Sequence, residues 1–482
     1  MKAGFFEADT TPSIGMHSVD ICDYGEVTRI NTPFSFNAAV IANEQSCVAL
    51  VGADLIDLDL ELVESGLEQL RRRMQLDALM VGASHTHGGA PPARTWWLYP
   101  ELAKCGDIRP EVKAQMESKA PRADPAYRAL IQRRLVDAVY MAWQRREEVK
   151  WVMGRTRVEH VAFNRRQRMK DGFTVTHAGK GNPGTVDYAG PVDNELVALG
   201  AVNACGQMIG AVVNFGCHAT VSSEGGWSAD WPYYMRQAVK QAINPAMGVV
   251  FLNGCCGDVT QIDNLDPLKE ERTEWWAQML GRRVGLSAVD VLLSVRPMPF
   301  QTIRHERNVI TLQHRLVDEG RYRQALKRLN EAYSATNWQS WYYDRDVVLL
   351  HELQKRRTSE KCELNGLQVG NLLLVTNPAE AFAQTAIAIK KASPMPYTMV
   401  AELTNGNLNY VPTPDAFGPN GGGYEARLSG GSFVEVAAFE KITAASIELA
   451  NKFKPETTRD YRERETWEDG RRPWVDFRPD QL

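Results

Sequence analysis

The sequence predicts an α/β fold, with mixed sheets built from hairpin–helix–strand units and packed by helices. Three observations predict it. Apolar runs of strand length alternate with stretches of helical spacing. The same order of elements comes three times along the chain. In each repeat, polar residues collect where an apolar run stops, and strand ends are where α/β proteins build their sites.

In the first unit, apolar runs at 38–43 and 47–55 are separated by Glu44-Gln45-Ser46 and read as a β-hairpin. Residues 59–74 follow, with Leu60, Leu62, Val63, Leu67 and Leu70 at helical spacing. A buried strand at 78–83 then runs into Ser84-His85-Thr86-His87. The second unit has runs at 196–202 and 208–215 around a turn-like Asn203-Ala204-Cys205-Gly206-Gln207. Its second run leads into Cys217-His218-Ala219-Thr220. A helix at 232–243 and a strand at 248–252 follow, ending in Asn253-Gly254-Cys255-Cys256-Gly257-Asp258. The third unit has runs at 362–367 and 372–376, ending in Asn377-Pro378-Ala379-Glu380, then a helix at 381–391 and a strand at 397–401 before Leu403-Thr404-Asn405. Three such units would bring His85, His87, His218, Asp258 and Glu380 together.

Between the units, 96–122 and 171–193 are rich in Gly, Pro and charge and read as loops. Residues 266–295 and 318–357 read as longer helices. The organisation is one domain over 1–454 and a charged tail over 455–482, with Trp467 and Trp474 as anchors to the surface or to a neighbouring subunit.

Composition bounds the function. The 482 residues are 44% hydrophobic and 24% charged, which excludes collagen-like, disordered and disulfide-scaffold classes. A formal charge of −4 gives no overall basic surface for nucleic acid. The longest apolar stretches, at 210–215 and 248–252, fall far short of the roughly 20 residues of a membrane helix, so no integral membrane association is expected. The first nine residues carry an acidic break where a signal peptide has its apolar core. Eight scattered cysteines without a CxxC pair suit reduced thiols and a cytoplasmic setting.

His85-Thr86-His87 is the sharpest local signal. Residues two apart on a strand point the same way, and neutral imidazole suits zinc. The same pair could be two turn histidines. His218 alone could be a hydrogen-bonded core residue, and Glu380 a helix N-terminal charge. Residues 253–260 could be a tight turn with Asp258 or Thr260 as a cap.

Together these segments resemble a known family. Ser84-His85-Thr86-His87-Gly88-Gly89-Ala90-Pro91 is similar to the Thr/Ser-His-Thr-His motif of the neutral ceramidases. Asn214-Phe215-Gly216-Cys217-His218-Ala219-Thr220, Asn253 to Thr260, and Asn377-Pro378-Ala379-Glu380-Ala381-Phe382 resemble three more of their motifs. So do Leu403-Thr404-Asn405, Tyr410-Val411-Pro412-Thr413, Tyr424-Glu425-Ala426 and the opening Asp9-Thr10-Thr11-Pro12. The motifs stand in the family's order.

The resemblance implies zinc (Zn2+) held by His85, His218, Glu380 and Tyr410, with Glu402 ranked second to Glu380. It implies His87 as proton donor or oxyanion partner, Tyr424 as oxyanion donor, Asp258 as base for a metal-activated water and Arg165, of the Asn164-Arg165 pair, as a substrate-binding cation. Thr260 stands where the family has serine, and Gln261 where it has proline. Thr260 is therefore expected to hydrogen-bond rather than attack. The family's longer members carry a further immunoglobulin-like domain and a secretion signal, and this sequence is expected to have neither.

Aromatic clusters follow the motifs: Trp96, Trp97 and Tyr99; Trp227, Trp231, Tyr233 and Tyr234; Trp338, Trp341, Tyr342 and Tyr343. A rim of them would stack on sugar rings or flat amides, and Trp96 and Trp97 are the substrate-binding candidates. Arg165, Arg166 and Arg168 within four positions favour an anionic or strongly polar substrate group. The expected function is zinc-dependent hydrolysis of an amide bond in a small-molecule substrate. The rivals are a carbohydrate-active enzyme working on a uronate with the same metal, and a non-catalytic binding protein. Homo-oligomerisation is left open.

Overall fold

The computed structural model describes residues 1–17, 26–91, 97–119, 123–221, 225–268, 271–331, 334 and 336–456. The chain opens on strand β1 (Lys2–Asp9), followed by the hairpin β2 (Ser35–Ala42) and β3 (Cys47–Ala53), helix α1 (Leu60–Arg71) and strand β4 (Ala78–Ala83). β2 and β3 pair antiparallel, and β4 joins β3 parallel. The Asp59 carboxylate accepts from the Leu62 amide and starts α1. Every residue of β2, β3 and β4 is buried, which is why β3 and β4 are continuously apolar and β2 is apolar apart from Ser35 and Asn37 instead of alternating.

Two helices follow, α2 (Pro110–Ser118) and α3 (Pro125–Gln144), then strand β5 (Glu147–Arg157). α3 packs across β1 and β2. Short strands β6 (Phe163–Asn164), β7 (Arg166–Met169), β8 (Thr174–Thr176) and β9 (Thr185–Tyr188) lead to the second hairpin, β10 (Glu195–Asn203) and β11 (Met208–Phe215). Helix α4 (Asp230–Ile243), strand β12 (Gly248–Asn253), the short β13 (Val259–Thr260) and helix α5 (Glu274–Ser294) complete this part. β12 lies parallel to β11.

The first two units share one eight-stranded sheet, ordered β12-β11-β10-β5-β1-β2-β3-β4. β1 joins them, pairing along its length with β2 but only at Lys2 and Ala3 with β5. The sheet folds over there, so that β12 packs across β2 and β3. Gly52 permits the approach: a Cβ at that position would stand 2.4 Å from the Phe251 carbonyl oxygen. The two halves are also tied by a buried bidentate pair, with Arg236 Nη1 and Nη2 donating to Asp54 Oδ1 and Oδ2 at 2.9 and 2.6 Å.

The third unit has its own sheet. Strand β14 (Ile303–Gln313) and helices α6 (Glu319–Leu329) and α7 (Trp338–Gln354) precede the hairpin β15 (Ser359–Val369) and β16 (Leu372–Thr376). Then come β17 (Glu380–Ala381), helix α8 (Ala383–Ala392), β18 (Tyr397–Ala401), β19 (Tyr410–Val411) and helix α9 (Ala438–Ala450). The sheet order is β14-β15-β16-β18, with β18 parallel to β16. An antiparallel pair, a helix and a parallel strand thus occur three times, as the sequence predicts.

Four expectations change. The stretch 96–122 contains α2, because Pro110 sits in the first turn, where its missing N–H costs nothing, and Val112 and Met116 bury one face. The stretch 171–193 carries β8 and β9, which flank β7 in a small sheet. The helix expected from 266 starts at Glu274, where Thr273 caps it. The helix expected over 318–357 is two, α6 ending at Asn330 and α7 beginning after Asn337. Residues 457–482, with Trp467 and Trp474, lie outside the described residues. Among the described residues, no helix is long and apolar enough to cross a membrane.

Candidate active site

The three units deliver side chains from their strand ends to one point. After β4 the chain turns so sharply that His85 takes φ 61°, a left-handed conformation uncommon for a residue other than glycine. His85 Nδ1 lies 2.7 Å from the Ile56 carbonyl, and His218 Nδ1, past the end of β11, lies 2.7 Å from the Cys256 carbonyl. A carbonyl only accepts, so each Nδ1 carries a proton and each Nε2 is turned inward. The two Nε2 atoms stand 3.2 Å apart, and His87 Nε2 is 3.4 Å from that of His85.

Glu380 completes the cluster. Its Oε2 lies 3.2 Å from His85 Nε2 and 3.7 Å from His218 Nε2. Among the described residues that oxygen is buried without a hydrogen-bond partner. β17 runs parallel to β19 and sets Glu380 opposite Tyr410, whose hydroxyl hydrogen-bonds the carboxylate. Gly257 lets the backbone close in: a Cβ there would lie 2.4 Å from the Glu380 carbonyl oxygen.

The charges show what this cluster attracts. Burial alone would lower the His85 pKa, but the Glu380 carboxylate outweighs it and raises His85 to about 9. Burial would raise Glu380, yet His85 more than offsets it and holds the carboxyl below its ordinary range. His87 and His218 are pushed well down by burial and by neighbouring cations, and stay neutral. Neutral imidazoles converging with a carboxylate draw positive charge to one point. The three histidines could hold a metal ion, and imidazole nitrogen with carboxylate and phenol oxygen suits zinc.

Arg165, between β6 and β7, is clamped beside the cluster. Its Nε donates to Glu425 Oε1 at 2.8 Å and its Nη2 to the Gly257 carbonyl at 2.7 Å. Nη1 lies 3.1 Å from His218 Nε2. The guanidinium carbon sits 5.3 and 5.1 Å from the ring centres of Tyr410 and Tyr424. Glu425 Oε2 also accepts from Thr176 Oγ1 at 2.6 Å. The three neighbouring arginines do not form one basic element, because each is held by different partners. Arg166 is buried and donates to the Gly422 carbonyl, while Arg168 is exposed and pairs with Asp187.

The other candidates stand around this centre. Tyr424 is 39% exposed, and its hydroxyl hydrogen-bonds that of Tyr410. Asp258 has both oxygens engaged: Asn164 Nδ2 donates to one at 2.7 Å and the Ala383 amide, at the start of α8, to the other at 2.8 Å. Burial raises its pKa to about 6 against those two bonds. Thr260 is buried, donates to Gln261 Oε1 and accepts from the Ile262 amide, both at 3.3 Å. Glu402 accepts from the Cys256 amide at 3.0 Å and from Cys256 Sγ at 2.8 Å, and burial lifts its pKa to about 8. It braces the residue whose carbonyl orients His218.

Part of the aromatic rim is core. Trp97 donates to the Gly430 carbonyl and packs on Phe433 at 4.6 Å between ring centres. Trp227, Trp231 and Trp341 are buried, and Trp231 Nε1 donates to the His218 carbonyl. Trp96 lies outside the described residues. The sequence reading missed Glu425 as the partner of Arg165, although it directly follows Tyr424 in a quoted motif.

No protein-family model matches the chain, and no curated protein matches it in sequence. Solved structures do. A crystal structure of neutral ceramidase from Pseudomonas aeruginosa aligns with a TM-score of 0.67 at 16% identity, covering 95% of this chain and 76% of that one. A ceramidase complexed with C2 aligns with the same TM-score and the same coverage at 15% identity. Over nearly all its length, this chain has the fold of the neutral ceramidases.

Proposed function

We propose that the chain is a zinc-dependent hydrolase that cleaves an amide bond between an acyl group and an amine. The observation that carries this is the convergence of His85 Nε2, His218 Nε2 and Glu380 Oε2 beside a clamped guanidinium, on the ceramidase fold. His85, His218, Glu380 and Tyr410 would hold the metal. A bound zinc supplies Lewis acidity and lowers the pKa of its water to about 7.

The chain's own groups do the rest. Arg165 Nη1 and the Tyr424 hydroxyl donate to the carbonyl oxygen as it gains charge. His87 is half-buried beside the cluster and would act as proton donor to the leaving amine or as oxyanion partner. Asp258, the candidate base for the water, also holds Asn164 through its carboxylate and the Arg165 amide through its carbonyl, which positions Arg165. Thr260 supports the turn and makes no covalent bond to substrate.

The site favours a neutral reacting group. Glu425 already balances Arg165, so no substrate carboxylate is required there. The scattered, motif-free cysteines support a cytoplasmic location. The test is metal analysis with turnover of short N-acyl amines. Wild type should bind about one zinc per chain and hydrolyse the amide, and His218→Ala should lose both. Full activity in protein stripped of metal, or turnover of uronates and no amides, would falsify this reading.

A further inference from the structure

The three units place their chemistry by the same step. The hairpin's second strand ends beside a parallel strand, and three or four residues later a polar side chain arrives. His218 comes three positions after β11 ends at Phe215, and Glu380 four after β16 ends at Thr376. Both join the cluster. In the first unit the same count, four positions after β3 ends at Ala53, reaches Asp57.

Asp57 lies against the centre. The carbonyl of the preceding residue, Ile56, holds His85 Nδ1. Asp57 Oδ2 accepts from Asn407 Nδ2 at 2.7 Å, and Asn407 comes three positions before Tyr410. Asp57 feels the charges of both His85 and Glu380. Its other oxygen has no hydrogen-bond partner among the described residues, and the side chain is only half-buried. It serves no helix, since Asp59 caps α1.

Burial raises the Asp57 pKa against the Asn407 bond and the His85 charge, and a donor facing its open oxygen would favour the ionised form, which only accepts and bonds most strongly to O–H and N+–H groups. The acyl half of an amide ends in a carbonyl, so the donor must come from the amine half. We propose that Asp57, fixed through one oxygen by Asn407, accepts a hydrogen bond from a hydroxyl or ammonium group on the amine half of the substrate. This rests on the amide-hydrolase reading.

Three substrates of one size separate the cases: N-hexanoyl ethanolamine, N-hexanoyl ethylenediamine and N-hexanoyl propylamine, ending in hydroxyl, ammonium and methyl. Wild type should favour the hydroxyl or the ammonium over the methyl by about 10-fold or more in kcat/KM. Asp57→Asn should erase that preference through KM and keep the metal content. Asn407→Ala should weaken the preference in part. No preference in wild type, or an equal loss on all three substrates in Asp57→Asn, overturns the inference while leaving the hydrolase standing. If wild type cleaves none of them, the hydrolase reading fails instead. Calorimetric binding of ethanolamine, ethylenediamine and propylamine to metal-loaded protein then decides the inference: equal affinities in wild type and Asp57→Asn overturn it, and a preference confined to wild type upholds it.

Discussion

Glu425→Gln isolates the charge that holds Arg165. The pair is buried, with side-chain exposures of 4% and 0%. Glutamine keeps the shape: its carbonyl still accepts from Arg165 Nε, and its amide can donate to Thr176 Oγ1. What is lost is the negative charge, which leaves a guanidinium buried among neutral groups. Breaking a buried pair on one side costs about 3–5 kcal/mol, and the retained hydrogen bonds put this case near 3. Unfolding entropy of about 2.1 cal/mol/K per residue makes 1 kcal/mol worth about 1 °C in a chain this long, so Tm should fall by about 3 °C. Turnover should fall by about 10- to 100-fold, less than the loss of a whole oxyanion donor. Scanning calorimetry and amide turnover read the two effects. The double variant Arg165→Met, Glu425→Leu should recover the stability and not the turnover, because apolar replacement of a buried pair is often neutral. A single variant that melts within 1 °C of wild type and turns over at full rate would refute the clamp.

Three further outcomes are expected. Thr260→Ser should stay active and Thr260→Ala should keep measurable turnover, down by at most about 10²–10³-fold; a covalent adduct on Thr260, sought by mass spectrometry, would contradict this. Arg236→Met should destabilise the fold by about 3–5 kcal/mol in urea titrations, since it strands Asp54 where the sheet folds over, and a change under 1 kcal/mol would show the pair idle. Burial raises the Asp346 pKa to about 6, against the opposing pull of Arg345 and the Gly430 amide. Between pH of about 4 and 6 the folded state then holds more protons than the unfolded one, so this residue's contribution falls as pH rises. Asp346→Asn should flatten that fall in urea midpoints taken from pH 4 to 7, and an unchanged slope would count against it.

The elements that bury both faces were the easiest to read. β3, β4, β12 and β16 are apolar runs with no polar residue before their last position, and no competing pattern fits them. The histidines followed, because a polar residue just past such a run has few reasons to be there. Arginine was harder. Nothing in Asn164-Arg165-Arg166 says that the first guanidinium faces Glu425 while the next lies over Phe382, since that depends on partners some 220 to 260 positions away. Tryptophan misled for a related reason: Trp227 and Trp231 sit near His218 in sequence but point into the packed interior. Asp57 gives no local signal at all, and only the comparison of three units isolates it.

The wide spacing of the cluster along the chain has a consequence for how the protein would come apart. His85 and His218 are 133 positions apart, and Glu380 lies a further 162 beyond (380 minus 218). An ion gripped by all three would be a staple across two very long loops, and a cross-link spanning about 100 residues removes about 4–5 kcal/mol of freedom from the unfolded chain. The loose chain offers no ready-made grip, so the energy of holding the ion appears as resistance to unravelling. A protease nick in the surface between the first and second units would leave two fragments still pinned through their shared ion. A chelator added afterwards would remove that staple and leave the shared sheet alone to hold them.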